Sequence, residues 1–361
     1  MTHTPVPLSP LVLPPERAAV AERLVLRAQA TAAAPDRVAA ALDLARDLST
    51  EVAPPALGDT ARSWEVLATL GAVDLTVARA VEPHLDALAI LDQARREGRP
   101  RPDDAAVAGA TWGVYAAEGP ERLRAEPDGD GWRLSGPKAW CSLAARVSHA
   151  LVTAWVDDER RGLFAVELRG PGVRLDEDGP AWVARGLAEV VSTGLVMDGA
   201  AARAVGGPGW YLDRPGFAWG GAGVAAVWYG GAVGVARRLR AAATRREPDQ
   251  VALLHLGAID AALGGARALL AEAAAQADGA GGPAGRDGPA VVAARVRQGV
   301  ADAAAEVLDR TGRALGPGPL ATDEEHARRV ADLELYLRQH HGERDLAQLG
   351  RLLLDQGSTS W

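Results

Sequence analysis

Two Ala- and Leu-rich helical stretches flank a segment, residues 108–205, in which the helical stripe disappears, and that interruption constrains the fold most. Within it, residues 111–117, 132–134, 150–156, 162–168 and 187–196 read as short β runs. They are punctuated by Asp128-Gly129-Asp130-Gly131 and Pro171-Gly172, residue types that favour tight turns. Strands at this spacing, with no helices between them, predict an antiparallel β-domain inside an α+β protein. The implied division is 1–107 helical, 108–205 β and 206–361 helical.

The flanking halves are read from apolar spacing. Residues 1–15 form an extended lead-in, and Pro15-Glu16 opens a helix, with Pro early and acid in the first turn. Pro54-Pro55 stops the first group; Ser63 and Glu65 suggest a cap for the next. Val77, Val81, Leu85, Leu88 and Leu91 form a stripe, with His84 on or beside it, read as a packing residue with a substrate-facing role as the alternative. From Gly216 the chain is helical again, and clusters at 220–223 and 230–234 permit close backbone approach. Further helices are predicted over 250–278, 289–315, 324–341 and 343–354, with a glycine-rich loop at 279–288. That loop follows no strand, so it is no dinucleotide fingerprint.

A net charge of −8 gives no basic footprint for nucleic acid or an anionic membrane. The single cysteine, Cys141, excludes an internal disulfide and a cysteine-based metal cluster; no metal site is predicted. The Pro-rich start lacks the pattern of a signal peptide, and no run approaches eighteen uninterrupted apolar residues. The expectation is a soluble, cytoplasmic protein that binds neither nucleic acid nor membrane.

Within the β segment, Lys138-Ala139-Trp140-Cys141-Ser142 follows the turn-like Ser135-Gly136-Pro137. It places a flat aromatic, a small hydroxyl and backbone amides within five residues, a way to hold a flat heterocycle. A buried Trp in a sheet is the plainer alternative. Lys138, Trp140 and Ser142, the runs Leu151-Val152-Thr153-Ala154 and Leu163-Phe164-Ala165-Val166, and Pro171-Gly172-Val173 resemble the middle β-domain of the acyl-CoA dehydrogenase family. That resemblance implies N-terminal helices, a middle antiparallel β-barrel and a C-terminal helical bundle. It also implies bound FAD, an acyl-CoA or other acyl thioester substrate, possible exchange with an electron-transfer partner, and a homo-oligomer.

Carried over residue by residue, the resemblance puts Trp140 and Ser142 at the flavin ring, with Val114 and Ala116 on the other flavin-facing strand. It puts Arg245 at a neighbouring subunit's diphosphate, and Gly316 and Gly318 at the adenine dinucleotide. A surface arginine pair and a glycine–proline helix stop would read the same way. The family's Thr-Glu-Pro-Gly loop, the Phe-Gly after its Arg and its catalytic Glu are not matched. Asp332 and Tyr336 match an Asp and a Tyr of the family, and counting from them the Glu position falls on His340, or on His341 from the following Gly. Glu343 is a further candidate base, or simply a favourable charge at a helix start. On one helix over 324–341, Leu333, Leu337 and His340 or His341 would share a face. A neutral imidazole accepts a proton near neutrality.

Three readings follow. The first is α,β-dehydrogenation of an acyl thioester, with a base opposite the flavin. The second is a flavin monooxygenase or N-oxidase on the same fold, for which Ser142 and the His340-His341 pair suit. The third is a non-catalytic relative. The missing Glu favours the last two, and the retained Trp140, Ser142, Arg245 and Gly316 favour the first two.

Overall fold

The computed structural model describes residues 3–8, 14–245, 247–279 and 287–355. The N-terminal half holds α1 (Pro15–Ala32), α2 (Arg37–Glu51), α3 (Thr60–Val73) and α4 (Leu75–Arg96), followed by one turn, α5 (Asp104–Val107). Asp36 caps α2 through the Ala39 N–H (3.0 Å), and Asp74 caps α4 through the Val77 N–H (3.0 Å). The cap predicted from Ser63 and Glu65 is displaced: α3 starts at Thr60. Its open end is satisfied instead by Asp278, which accepts from the N–H of Gly58 (3.0 Å) and of Thr60 (2.8 Å).

The middle segment contains β1 (Trp112–Tyr115), β2 (Arg124–Asp128), β3 (Gly131–Lys138), β4 (His149–Trp155), β5 (Arg161–Glu167), β6 (Val173–Leu175) and β7 (Leu195–Val205). The order β4-β2-β3-β7-β5 closes on itself because β5 also pairs with β4, which makes a small barrel. Its pairings are antiparallel except that β1 runs parallel to β4 and β2 meets β4 through a single parallel bridge. Two sequence expectations change here. Ser135-Gly136-Pro137 is not a turn but a bulge within β3, where Gly136 has φ +121° and a Cβ would meet the Arg122 carbonyl at 2.8 Å. The strand expected over 187–196 is largely a loop, and β7 begins only at Leu195. Ala200, Ala201, Ala202 and Ala204 have little strand preference of their own, so pairing with β3 and β5 makes them a strand.

The C-terminal half holds α6 (Trp210–Asp213), α7 (Pro215–Ala243), α8 (Gln250–Ala277), α9 (Pro289–Leu315), α10 (Gly318–Thr322), α11 (Glu324–Tyr336) and α12 (Glu343–Asp355). Most of the glycine-rich loop at 279–288 lies outside the described residues. The helix expected to reach His341 ends at Tyr336, with a 3-10 turn over Leu337–Gln339. His340 then leaves helical space (φ −89°, ψ 121°), and Asp345 accepts the His341 N–H (3.2 Å), drawing this end toward α12. The helical–barrel–helical α+β architecture expected from the resemblance is the one observed. Among the described residues α8 is long and apolar enough to cross a membrane by composition, but it packs along α9 and carries Asp260, Arg267 and Glu272.

Helix α4 joins the halves. Ala87, Ile90, Leu91 and Ala94 pack against Trp112, Leu151, Leu163 and Val205 of the barrel, while Ala78 and Val81 belong to the helical core. Behind it α3 and α7 touch backbone to backbone. A Cβ on Gly230 would lie 2.0 Å from the Ala68 carbonyl oxygen, and one on Gly71 would lie 2.6 Å from that of Val227. Replacing a helical glycine by alanine ordinarily stabilises by about 1 kcal/mol, but here the contact reverses the sign. Gly230→Ala is expected to destabilise by at least about 2 kcal/mol in denaturant unfolding. Gly257→Ala in α8, where nothing lies within 4 Å, should be neutral or stabilising.

Candidate functional site

Trp140 stands at the mouth of the site in an unusual backbone state. Its φ is +60°, and Leu143 follows at +58°, both in the left-handed region that side chains disfavour. The 187–194 loop imposes this conformation: Thr193 accepts the Cys141 N–H (2.9 Å) and Val191 the Leu143 N–H (2.8 Å). Asp332 in turn accepts the Leu187 N–H (2.5 Å), and its burial raises its carboxyl to about 6. Trp140 is 62% exposed, so a strained backbone presents an exposed aromatic residue.

Just inside, the Ser142 hydroxyl shares a hydrogen bond with Ser192 (2.8 Å) and accepts one from Arg79 of α4 (3.2 Å). The Tyr115 hydroxyl donates to the Ser142 carbonyl (2.9 Å), which ties β1 and the flanking Val114 and Ala116 to this loop. Lys138 is buried: its Nζ donates to Glu118 (3.0 Å) and Thr153 (2.9 Å). Burial lowers its pKa, and Glu118 opposes that shift.

Behind Ser142 lies a polar cluster between α4, α9 and α11. Arg79 pairs with Glu82 (3.5 Å) one turn away and lies over the Tyr336 ring (5.7 Å). Tyr336 packs edge-on against Trp228 (6.3 Å), and Trp228 likewise against His340 (6.3 Å). Arg297 covers Trp228 (4.7 Å) and donates to the carbonyls of Gly221 and Gln339, each at 3.0 Å. Burial lifts Glu82 to about 7 against the pull of Arg79, with the Asp86 charge adding to the rise. Burial also raises Asp86. Burial and the charge of Glu82 push the Tyr336 hydroxyl up. Pro83, next to Glu82, has no N–H for the Arg79 carbonyl, so α4 lacks one ladder bond at this point.

The nominated bases separate. His340 is buried, with a side chain 8% exposed. Its Nδ1 accepts the Gly342 N–H (3.3 Å), and its Nε2 makes no hydrogen bond among the described residues but lies 3.9 Å from the Asp345 carboxylate. A neutral imidazole in that arrangement carries its proton on Nε2. Burial lowers its pKa, with Asp345 opposing. His341 is exposed and pairs with Asp345 (3.3 Å), and Glu343 starts α12 at the surface. Arg245 is exposed just past α7, and Gly316 (φ +67°) and Gly318 flank the α9–α10 turn with open space beside them. No hydrogen bond or ion pair among the described residues joins these three to Trp140 or Ser142. The sequence reading missed Arg79, Glu82, Asp86, Ser192 and Arg297. The spacing Arg79-x-x-Glu82-x-x-x-Asp86 alongside an apolar stripe was the available signal for three of them.

No protein-family model matches the sequence, and no curated protein is significantly similar to it. Solved structures match along nearly the whole chain. A KijD3 in complex with FMN and a dTDP-linked 3-amino-4-keto sugar matches with TM-score 0.74 and 19% identity, over 98% of this chain and 96% of that one. Dibenzothiophene monooxygenase (TdsC) from Paenibacillus sp. A11-2 matches with TM-score 0.69 and 18% identity, over 92% and 97%. Glutaryl-CoA dehydrogenase from Mycobacterium smegmatis matches with TM-score 0.69 and 19% identity, over 90% and 91%. The chain shares their fold.

The cluster makes a pH prediction. Glu82 has a folded pKa above its ordinary 4.5, so its contribution to stability is full below about 4.5 and is lost as pH rises through about 7. Glu82→Gln should therefore gain stability relative to the unmodified chain between about pH 5 and pH 8. Urea unfolding at the two pH values checks this; a constant difference would mean that Glu82 keeps an ordinary pKa.

Proposed function

We propose that this chain is a flavin-dependent oxygenase, a monooxygenase or N-oxidase, built on the acyl-CoA dehydrogenase-like fold. The observation that carries this reading is the state of His340. The position counted as the dehydrogenase base holds an imidazole whose acceptor nitrogen is already used by the Gly342 N–H. In its neutral form it offers a proton at Nε2 and is a donor, not a base toward an α-proton. The comparisons support the choice, since a monooxygenase and an FMN-bound protein are among the structures that share the fold.

The residues fit a flavin ring in one concrete respect. An exposed indole held by a strained backbone stands beside hydroxyls already organised by an arginine. In this reading Trp140 stacks on the ring, Ser142 and Ser192 offer hydrogen bonds at its edge, and Val114 and Ala116 line the neighbouring strand. When bound, reduced flavin supplies the two electrons that divide O2 between the substrate and water. Arg79 fixes the Ser142 hydroxyl and neutralises charge near it, and the Trp228–Tyr336 wall keeps water from the inner side. In this reading His340, behind Trp228, keeps its proton on Nε2 and offers it to a bound molecule.

The finer expectations belong to the same proposal. Arg245, Gly316 and Gly318 lie at the surface, where they would meet the dinucleotide half of an FAD held by a second copy. The exposed Val251, Leu253 and Leu254 of α8 offer an apolar face for that copy. Equal affinity for FMN and FAD would restrict the site to ring and phosphate.

Dehydrogenation keeps one specific support: Glu82, titrating at about 7 beside Arg79, has a general base's pKa. The reactions separate the readings. The oxygenase reading predicts a yellow holoprotein that acyl-CoAs leave oxidised under anaerobic conditions, and that consumes O2 once chemically reduced. Bleaching by an acyl-CoA, lost in Glu82→Gln, would establish the dehydrogenase instead. Trp140→Ala should weaken flavin binding by roughly tenfold and Ser142→Ala by about fivefold in equilibrium titrations. Unchanged affinity in both variants would remove the flavin from this loop.

A further inference from the structure

A cavity of about 80 Å³ lies between α3, α4 and α7, walled by Trp64, Leu67, Glu82, Leu85, Asp86 and Gly223. By the same measure one water needs on the order of 15 Å³, so there is room for about five small groups. Its charged wall residues are both carboxylates. The arginines around it reach the two carboxylates only at long range. Arg79 donates to Ser142 (3.2 Å) and meets Glu82 at 3.5 Å, Arg297 binds two backbone carbonyls, and Arg214 donates to Gln93 (3.0 Å) while staying 4.0 Å from Asp86. A third polar group points the same way. Trp64 is fully buried, and its Nε1–H has no hydrogen-bond partner among the described residues; a Cβ on Gly223, also in the wall, would lie 3.5 Å from that nitrogen. An indole N–H only donates, and a buried donor without an acceptor is costly. The cavity thus brings together two carboxylates with only long arginine contacts and, among the described residues, one donor without an acceptor, in a mainly apolar hollow.

We propose that this cavity binds the amine end of the substrate: a primary ammonium against Glu82 and Asp86, on a short apolar stem whose oxygen acceptor meets Trp64. Resting on the oxygenase reading, this makes the substrate class a small oxygen-bearing primary amine. The cavity adjoins the ring site, because Glu82 in its wall pairs with the same Arg79 that holds Ser142. Leu67 and Leu85 take the stem. Gly220 leaves space for the Asp86 carboxylate, which a Cβ there would meet at 2.9 Å.

Ligand-observed NMR titration of the full chain tests this without any turnover. The probes are 3-methoxypropylamine, the near-isosteric neutral ether 1-methoxybutane, and 3-methoxypropionate. A charge-assisted pair predicts that the amine binds at least about tenfold more tightly than the ether, and the acid most weakly. The double variant Glu82→Gln/Asp86→Asn should bring amine and ether within about threefold of one another. Gly223→Ala is the check against misfolding. Its Cβ makes only ordinary contacts, so the melting temperature should not fall, yet it occupies the space beside Trp64 and should weaken the amine and the ether alike. Equal affinity for amine and ether, preference for the acid, no binding of any probe, or a preference that survives the double variant would each overturn the proposal. Flavin uptake is read separately by absorbance. Amine selectivity without flavin uptake would sink only the oxygenase reading, and flavin uptake without amine selectivity only this one.

Discussion

The guanidinium of Arg79 is where the three parts of the chain meet. It leaves α4 in the N-terminal half, donates to Ser142 of the barrel, and lies over Tyr336 of the C-terminal half. Its third neighbour, Glu82, sits one helical turn away in the same buried space. A buried arginine is tolerated because each side of its planar fork has a partner. Removing Glu82, the one anionic partner among them, leaves the guanidinium charge uncompensated in a low-dielectric interior. The domains are therefore held in register at the point where the proposed chemistry takes place.

Packing and strain around that point serve the same arrangement. The glycine contacts of α3 and α7 bring two helices to backbone distance and hold α4 between them and the barrel. The left-handed turns at Trp140 and Leu143 persist because the 187–194 loop supplies their hydrogen bonds, and Asp332 anchors that loop to α11. Strain concentrated beside an exposed aromatic is the pattern of a ligand-holding loop.

The coarse fold was legible in the sequence because the change in apolar period at 108 and 216 is large. The errors have local physical causes. Ser135-Gly136-Pro137 has turn chemistry, yet pairing on both edges of β3 makes it a bulge. β7 is alanine-rich and becomes a strand through its neighbours. The run from 324 to 341 has helical periodicity, but capping contacts from α12 break it before His340. Of the candidate site, the Trp140–Ser142 pair was visible as a motif. The Arg79–Glu82 pair was hidden, because charged residues spaced along a helix ordinarily mark a solvated face. Only the arrival of α7, α9 and α11 buries them.

The central claim is that the Trp140–Ser142 loop and the Glu82–Asp86 cavity form one site coupled through Arg79. The most direct measurement is the visible spectrum of the flavin-reconstituted protein during titration with 3-methoxypropylamine. A coupled site predicts a flavin difference spectrum whose midpoint equals the amine dissociation constant measured by NMR, and which is lost in Arg79→Met while the flavin stays bound. Saturation of the cavity with no change in the flavin spectrum would contradict the claim.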